Sequence, residues 1–254
     1  MRENRLKELW AEDRPALGGW LGIPSSTSAE MMAHATFDWL CVDMQHGAID
    51  YQVAVTMLQA ISTTDTVPIV RVPWNEPGII MKVLDAGAYG VIIPMVNSRA
   101  EAEAAVAACR YAPDGIRSYG PARAVLYAGP DYFSRANETV LCIPMIETRE
   151  ALANVDEIVG TPGVDVAFIG PSDLSVSLGL PPSYDQDAAK FVAAVASVEA
   201  ACKRHGVVAG VFGGNATVAR KRIEQGFRLI EVADDGRTMV TGAAAALAQL
   251  RDRA

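Results

Sequence analysis

The chain has 254 residues, half of them hydrophobic and a fifth charged, enough to bury one large core and close to the ~250 residues typical of a (β/α)₈ barrel. Its 22 Lys and Arg against 30 Asp and Glu give a formal charge of −8, which argues against nucleic acid or an anionic membrane surface as the main partner. No apolar run approaches the ~20 residues needed to span a bilayer, and the charged start MRENRLKELWAEDR lacks the apolar stretch of a secretory signal.

In chain order, a turn or helix over Asn4–Ala11 is followed by a repeating pattern of short apolar run, turn and helical segment. The runs expected as strands are Leu17–Ile23, Phe37–Asp43, Pro68–Val72, Gly90–Pro94, Val140–Ile146, Val164–Ile169, Val207–Phe212 and Arg228–Val232. Most are nearly continuous in apolar character, as parallel strands covered on both faces should be. The helices expected between and after them are Ser28–Ala35, Tyr51–Ser62, Glu76–Ala86, Arg99–Arg110, Arg149–Val159, Asp187–Arg204, Ala216–Gln225 and Arg237–Arg251. Ser98 and Asn215 sit where helices should begin, and Gly87 and Gly160 where helices should stop. The segment 111–138 reads as a long loop, a lid or an interface.

Eight strands alternating with eight helices predict a single-domain α/β (β/α)₈ (TIM) barrel over residues 1–254. A doubly wound open sheet would carry a GxGxxG after an early strand, and the sequence has none. Cys41, Cys109, Cys142 and Cys202 are scattered without a CxxC, so reduced thiols and a cytoplasmic location are expected.

In such a barrel the C-terminal strand ends supply the active site. Those ends carry Asp43, Gln45 and His46 after the second strand, Arg71 after the third, Glu147 after the fifth and Gly170-Pro171-Ser172-Asp173 after the sixth. Glu147 and Asp173 are nearly one βα repeat apart, so they project from neighbouring strands toward a common point. Two carboxylates without a nearby Cys or second His suit a hard cation, Mg²⁺ or Mn²⁺, completed by water and substrate oxygens. The competing readings are helix-capping acids and a paired-carboxylate glycosidase; for the latter the strand ends offer few aromatic platforms. His46 can titrate near neutral pH, and Arg71 can stabilise a developing oxyanion. All five lysines fall in expected helices and none at a strand end. A Schiff-base mechanism is thereby disfavoured, and carbonyl activation falls to the metal. A barrel that only binds a ligand would have no need of a base beside a metal.

The segments FDWLCVDMQHGAIDY, RVPWNEPGIIMKVLDAGAYGVIIPMV, YAPDGIRSYG, IPMIETREALANVDEI and VAFIGPSDLSVSLG resemble the HpcH/HpaI aldolase family, in family order from about Leu17 to Val232. The resemblance implies a class II pyruvate aldolase of the 4-hydroxy-2-oxoheptanedioate or 2-dehydro-3-deoxyglucarate type. Such an enzyme cleaves 4-hydroxy-2-oxo acids, through a metal-bound enolate, to pyruvate or hydroxypyruvate and an aldehyde. It further implies a homo-oligomer, a hexamer built as a dimer of trimers, with the last helix exchanged between subunits. By resemblance Glu147 and Asp173 hold the divalent ion (Mg²⁺, Mn²⁺ or Co²⁺), and Arg71 contacts the C2 oxygen. His46, paired with Asp85, acts through a water as the base. Backbone amides around Gly170, Pro171, Ser172 and Asp173 hold the carboxylate, and Asp43 sits near Arg71 at a subunit boundary. Two positions depart from the common pattern: Met145 stands where many members have Gln, and Gln45 where many have Glu. Both remove polar or charged character near the site and leave the aldehyde open. A citrate-lyase-β-like acyl-CoA lyase is the alternative that shares barrel and carboxylates.

Overall fold

The computed structural model describes residues 1–251; the one-domain expectation over 1–254 includes residues 252–254, which lie outside the described residues. Eight parallel strands close into a barrel in sequence order. They are β1 (Ala16–Leu21), β2 (Trp39–Asp43), β3 (Val67–Arg71), β4 (Gly90–Ile93), β5 (Leu141–Ile146), β6 (Val166–Ile169), β7 (Val208–Phe212) and β8 (Leu229–Asp234).

The two-residue alternation of side chains sorts each strand into an inward and an outward set. Trp39, Cys41, Ile69, Ile92, Ile143, Phe168 and Leu229 fill the barrel interior as one cluster. Leu40, Val42, Val70, Val91, Cys142, Ala167, Ile169 and Ile230 belong to a second cluster, with residues of the surrounding helices. Both faces are thus apolar, which is why the strands read as unbroken runs. Gly18 has a packing reason: a Cβ there would fall 2.0 Å from the Trp39 ring that plugs the interior. The short α1 (Arg5–Ala11), capped by the Asn4 side chain, adds Leu6 and Leu9 to the interior cluster.

Between the strands lie α2 (Ser26–Ala33), α3 (Tyr51–Ile61), α4 (Pro77–Asp85), α5 (Arg99–Cys109), α6 (Ala122–Ala128), α7 (Tyr132–Thr139), α8 (Arg149–Ala153), α9 (Val155–Val159), α10 (Pro171–Ser177), α11 (Ala189–His205) and α12 (Ala216–Glu224). The segment read as a loop, 111–138, instead carries α6 and α7. Each is about two turns, too short to register as an apolar period, and Gly129-Pro130 separates them. The helix expected over Arg149–Val159 is two pieces meeting at Asn154. α10 was not expected at all; Pro171 opens it one residue after Gly170, a position proline tolerates because its missing N–H would be unpaired there.

The final helix, α13 (Asp235–Arg251), begins two residues earlier than expected, straight from β8. Asp235 pins its first turn, accepting from the N–H groups of Gly22 and Ile23 and from the Ser28 hydroxyl. Beyond that turn the helix is exposed, including Met239, Val240, Leu247 and Leu250. No helix among the described residues is long and apolar enough to cross a membrane.

Candidate active site

Asp43 and Arg71 are the last residues of β2 and β3 and lie opposite each other in the ladder. Arg71 donates through Nε at 2.9 Å and Nη2 at 2.6 Å to the two Asp43 oxygens. The same carboxylate accepts from the Trp20 indole at 3.1 Å and from the backbone N–H groups of Gln45 and His46. The Arg71 guanidinium also lies 4.9 Å from the Trp20 ring. Burial alone would raise the Asp43 carboxyl, but the Arg71 hydrogen bonds and charge hold it below its ordinary value. The planar fork of Arg71 is thereby fixed in direction before any ligand arrives.

Glu147 follows β5 directly and is 2% exposed. Its Oε1 accepts from the Met95 N–H at 2.8 Å, and Met95 adopts a positive φ of 57°. Burial pushes its carboxyl up to about 7, and the negative charge of Asp173 pushes the same way, against the Met95 bond and Arg71. Asp173, in the first turn of α10, is exposed at the mouth. Gly170 is a close-approach position, since a Cβ there would sit 2.4 Å from Glu147 Oε2.

Two adjacent carboxylates, one buried and holding its proton too tightly, form an electrostatic arrangement that a divalent cation would relieve. No group of three or more His, Cys, Asp or Glu side chains able to hold a metal occurs among the described residues. The two carboxylates alone would fit a hard ion that takes its remaining oxygens from water and ligand. Arg71, His46, Gly170, Pro171, Ser172 and Asp173 line one cleft of about 200 Å³. No lysine lines it.

The cleft also contains residues that sequence reasoning missed, Trp20, Phe168, Tyr184 and Phe212, beside Met145, which the sequence had placed near the site. The expectation of few aromatic platforms is corrected here. Phe168 and Phe212 had been read as strand apolars, and inward direction at the top layer of the barrel is what turns them into walls. The signal that could have found them is their parity with Asp43 and Arg71 along the strands.

Asp85 is not brought to the cleft within one chain. It ends α4 and so lies near the entrance to β4, at the end of the barrel opposite the cleft. Within the chain its partner is Arg117, whose Nη2 donates to Oδ1 at 2.7 Å. Arg117 is itself buried, bonded to the Tyr132 hydroxyl and lying 4.3 Å from the Tyr111 ring centroid. Within one chain, His46 and Asp85 are not brought together. Gln45 keeps its side-chain carbonyl oxygen buried with no partner among the described residues.

The chain matches the HpcH/HpaI aldolase/citrate lyase family over residues 17–241. It is 45% identical over 232 residues to a hydroxypyruvate/pyruvate aldolase of Rhizorhabdus wittichii, covering 91% of this chain and 92% of that one. It is 38% identical over 252 residues to a 4-hydroxy-2-oxo-heptane-1,7-dioate aldolase of Salmonella dublin, covering 97% and 94%. An HpcH/HpaI aldolase/citrate lyase family protein of Burkholderia cenocepacia superposes with a TM-score of 0.91 at 36% identity, covering 98% and 99%. The citrate lyase beta subunit of M. tuberculosis reaches a TM-score of 0.58 at 16% identity, covering 88% and 94%, a likeness of fold alone. With a closed parallel barrel, a mouth bearing paired carboxylates, and aldolase relatives that span nearly the whole chain, the protein is a carbon–carbon lyase and belongs to the HpcH/HpaI aldolase/citrate lyase family.

Proposed function

We propose that the protein cleaves 4-hydroxy-2-oxo acids reversibly to pyruvate or hydroxypyruvate and an aldehyde, through an enolate of the 2-oxo acid. The observation that carries this reading is the convergence of Glu147, Asp173, Arg71 and His46 on one mouth that no lysine reaches. A Mg²⁺, Mn²⁺ or Co²⁺ ion held by Glu147 and Asp173 would polarise the 2-oxo acid's carbonyl when bound. The 45% identical relative named for hydroxypyruvate and pyruvate supports the choice of donor.

Arg71, fixed by Asp43 and Trp20, presents its remaining N–H groups to the C2 oxygen, where negative charge grows as the C3 proton leaves. Holding that direction in advance spares reorganisation in the transition state. First-turn amides of Ser172 and Asp173 hold the substrate carboxylate. His46, exposed at the rim, takes the C3 proton through a water and returns one to the aldehyde oxygen during addition. Asp85 of a second copy orients His46, since Asp85 of the same chain lies at the other end of the barrel. The protein works as a cytoplasmic homo-oligomer, a hexamer with α13 exchanged between subunits; the exposed apolar side chains of α13 support a partner covering that helix.

Exchange of the pyruvate methyl protons into D₂O, followed by NMR, tests the reading without any aldehyde. Exchange is expected with Mg²⁺ or Mn²⁺ and absent after chelation, returning when the ion is restored. Full exchange in chelator-treated protein would overturn the metal-dependent reading.

A further inference from the structure

Beside its charged groups the cleft is walled by aromatic and apolar side chains. Trp20 meets Phe212 edge-on at 5.2 Å and stacks with Phe168 at 6.0 Å. Tyr184 continues the wall, packed on Phe212 at 5.1 Å. Met145 turns its methyl group toward Gly170, where a Cβ would lie 2.8 Å from it.

Tyr184 comes from the loop between α10 and α11, and two further contacts fix it there. Its ring fills the space above Gly214, where a Cβ would fall 2.5 Å from a ring carbon. The Arg237 guanidinium covers the ring at 5.2 Å. Arg237 is in turn tied to Asp234 at 2.9 Å and lies 3.5 Å from buried Glu231. A residue on a surface loop is thus built into the barrel mouth through the first turn of α13.

The charges of the cleft point the same way. Arg71 is occupied on two sides by Asp43, and a divalent ion held by Glu147 and Asp173 would be taken up by the 2-oxo acid. Among the described residues lining the cleft no unpaired Lys or Arg remains to receive a second carboxylate. An aldehyde bearing one would lose hydration there with no compensating partner. An uncharged aldehyde with a ring would instead bury apolar surface and pack on flat aromatic faces.

We propose that the aldehyde subsite takes an uncharged aldehyde with an aromatic or bulky apolar body, and that Tyr184, positioned by Arg237, determines this preference. The inference rests on the aldolase reading above. In the addition, the bond forms between C3 of the 2-oxo acid and the aldehyde carbon. The C3 proton departs, the aldehyde oxygen gains a proton, and no oxidation or reduction occurs.

The test compares kcat/KM for pyruvate addition to benzaldehyde and to succinic semialdehyde, both measured on the same preparation so that any misfolded fraction cancels. The wild type is expected to favour benzaldehyde by about 10-fold or more. Tyr184→Ala is expected to shrink that ratio by roughly 10-fold, mainly through a higher KM for benzaldehyde. Tyr184→Phe, which keeps the ring, is expected to hold it within about 2-fold, and Arg237→Met to lower it. A wild type that favours succinic semialdehyde, or a ratio unmoved by Tyr184→Ala, overturns the inference. If wild-type protein with Mn²⁺ exchanges the methyl protons of pyruvate, such a result counts against the aldehyde preference alone. If it does not exchange them, the aldolase reading itself has failed.

Discussion

Arg71 and Asp43 end adjacent parallel strands at the same register and join through two hydrogen bonds of 2.9 and 2.6 Å, both side chains about nine-tenths buried. The pair is a positioning device at the cost of two desolvated charges, and each half is bound to the other's presence. Asp43→Ala would leave a buried guanidinium uncompensated, a loss of about 3–5 kcal/mol. It should appear as a lower urea midpoint with an unchanged m-value. Arg71→Lys keeps the charge but not the fork, and kcat should fall by about 10²–10³-fold with a smaller effect on stability.

Gly170→Ala is a sharper test of the carboxylate pair. The added methyl carbon would stand 2.4 Å from Glu147 Oε2 and 2.8 Å from the Met145 methyl. The end of a side chain can move where backbone cannot, so the barrel should fold. The displaced Glu147 should weaken the Mn²⁺-induced rise in melting temperature and lower activity by roughly 10²-fold.

Burial pushes the Glu231 carboxyl up to about 7, helped by Asp234 and opposed by the Gly214 N–H and Arg237. An acid whose folded value exceeds its unfolded one, 4.5, keeps its proton longer in the folded state. Between about pH 4.5 and 7 the folded protein therefore binds more protons than the unfolded chain, and stability falls as pH rises. The contribution is up to about 3 kcal/mol. Urea titrations of Glu231→Gln should lose this part of the slope and be more stable than wild type at pH 8. A slope unchanged by the substitution would remove Glu231 as its source.

His46 and Asp85 can act together only across two chains. Light scattering should give about 160 kDa for six chains of 27.0 kDa. His46→Asn and Asp85→Asn proteins, each weakly active, should recover up to about a quarter of wild-type activity when unfolded and refolded together, since random assembly makes a quarter of the sites whole. Asn at position 85 keeps an acceptor for Arg117, so the fold is not the variable. Mixtures no better than the parents would assign Asp85 to Arg117 alone.

The barrel was legible because its strands are buried on both faces, and unbroken runs such as Leu141–Ile146 announce that directly. Arg71, His46, Glu147 and Asp173 were legible because the fold places every strand end at one mouth. Asp85, carried over by resemblance and not by position at a strand end, lies at the far end of this chain's barrel, on Arg117. α6, α7 and α10 escaped notice because helices of two turns are held by tertiary packing rather than by a period of their own.

By itself the sequence determined the closed α/β architecture and the acid and base types at its mouth, because burial and alternation are local properties of a strand. Only the tertiary structure decided that Arg71 is locked by Asp43 and Trp20, that burial pushes the Glu147 carboxyl up to about 7, and that Phe168, Phe212 and Tyr184 wall the cleft. Each of these depends on which inward-facing side chains share a layer across separate strands and loops. The βα spacing brings Glu147 and Asp173 to one mouth, but which side chains share a layer there is set by barrel closure.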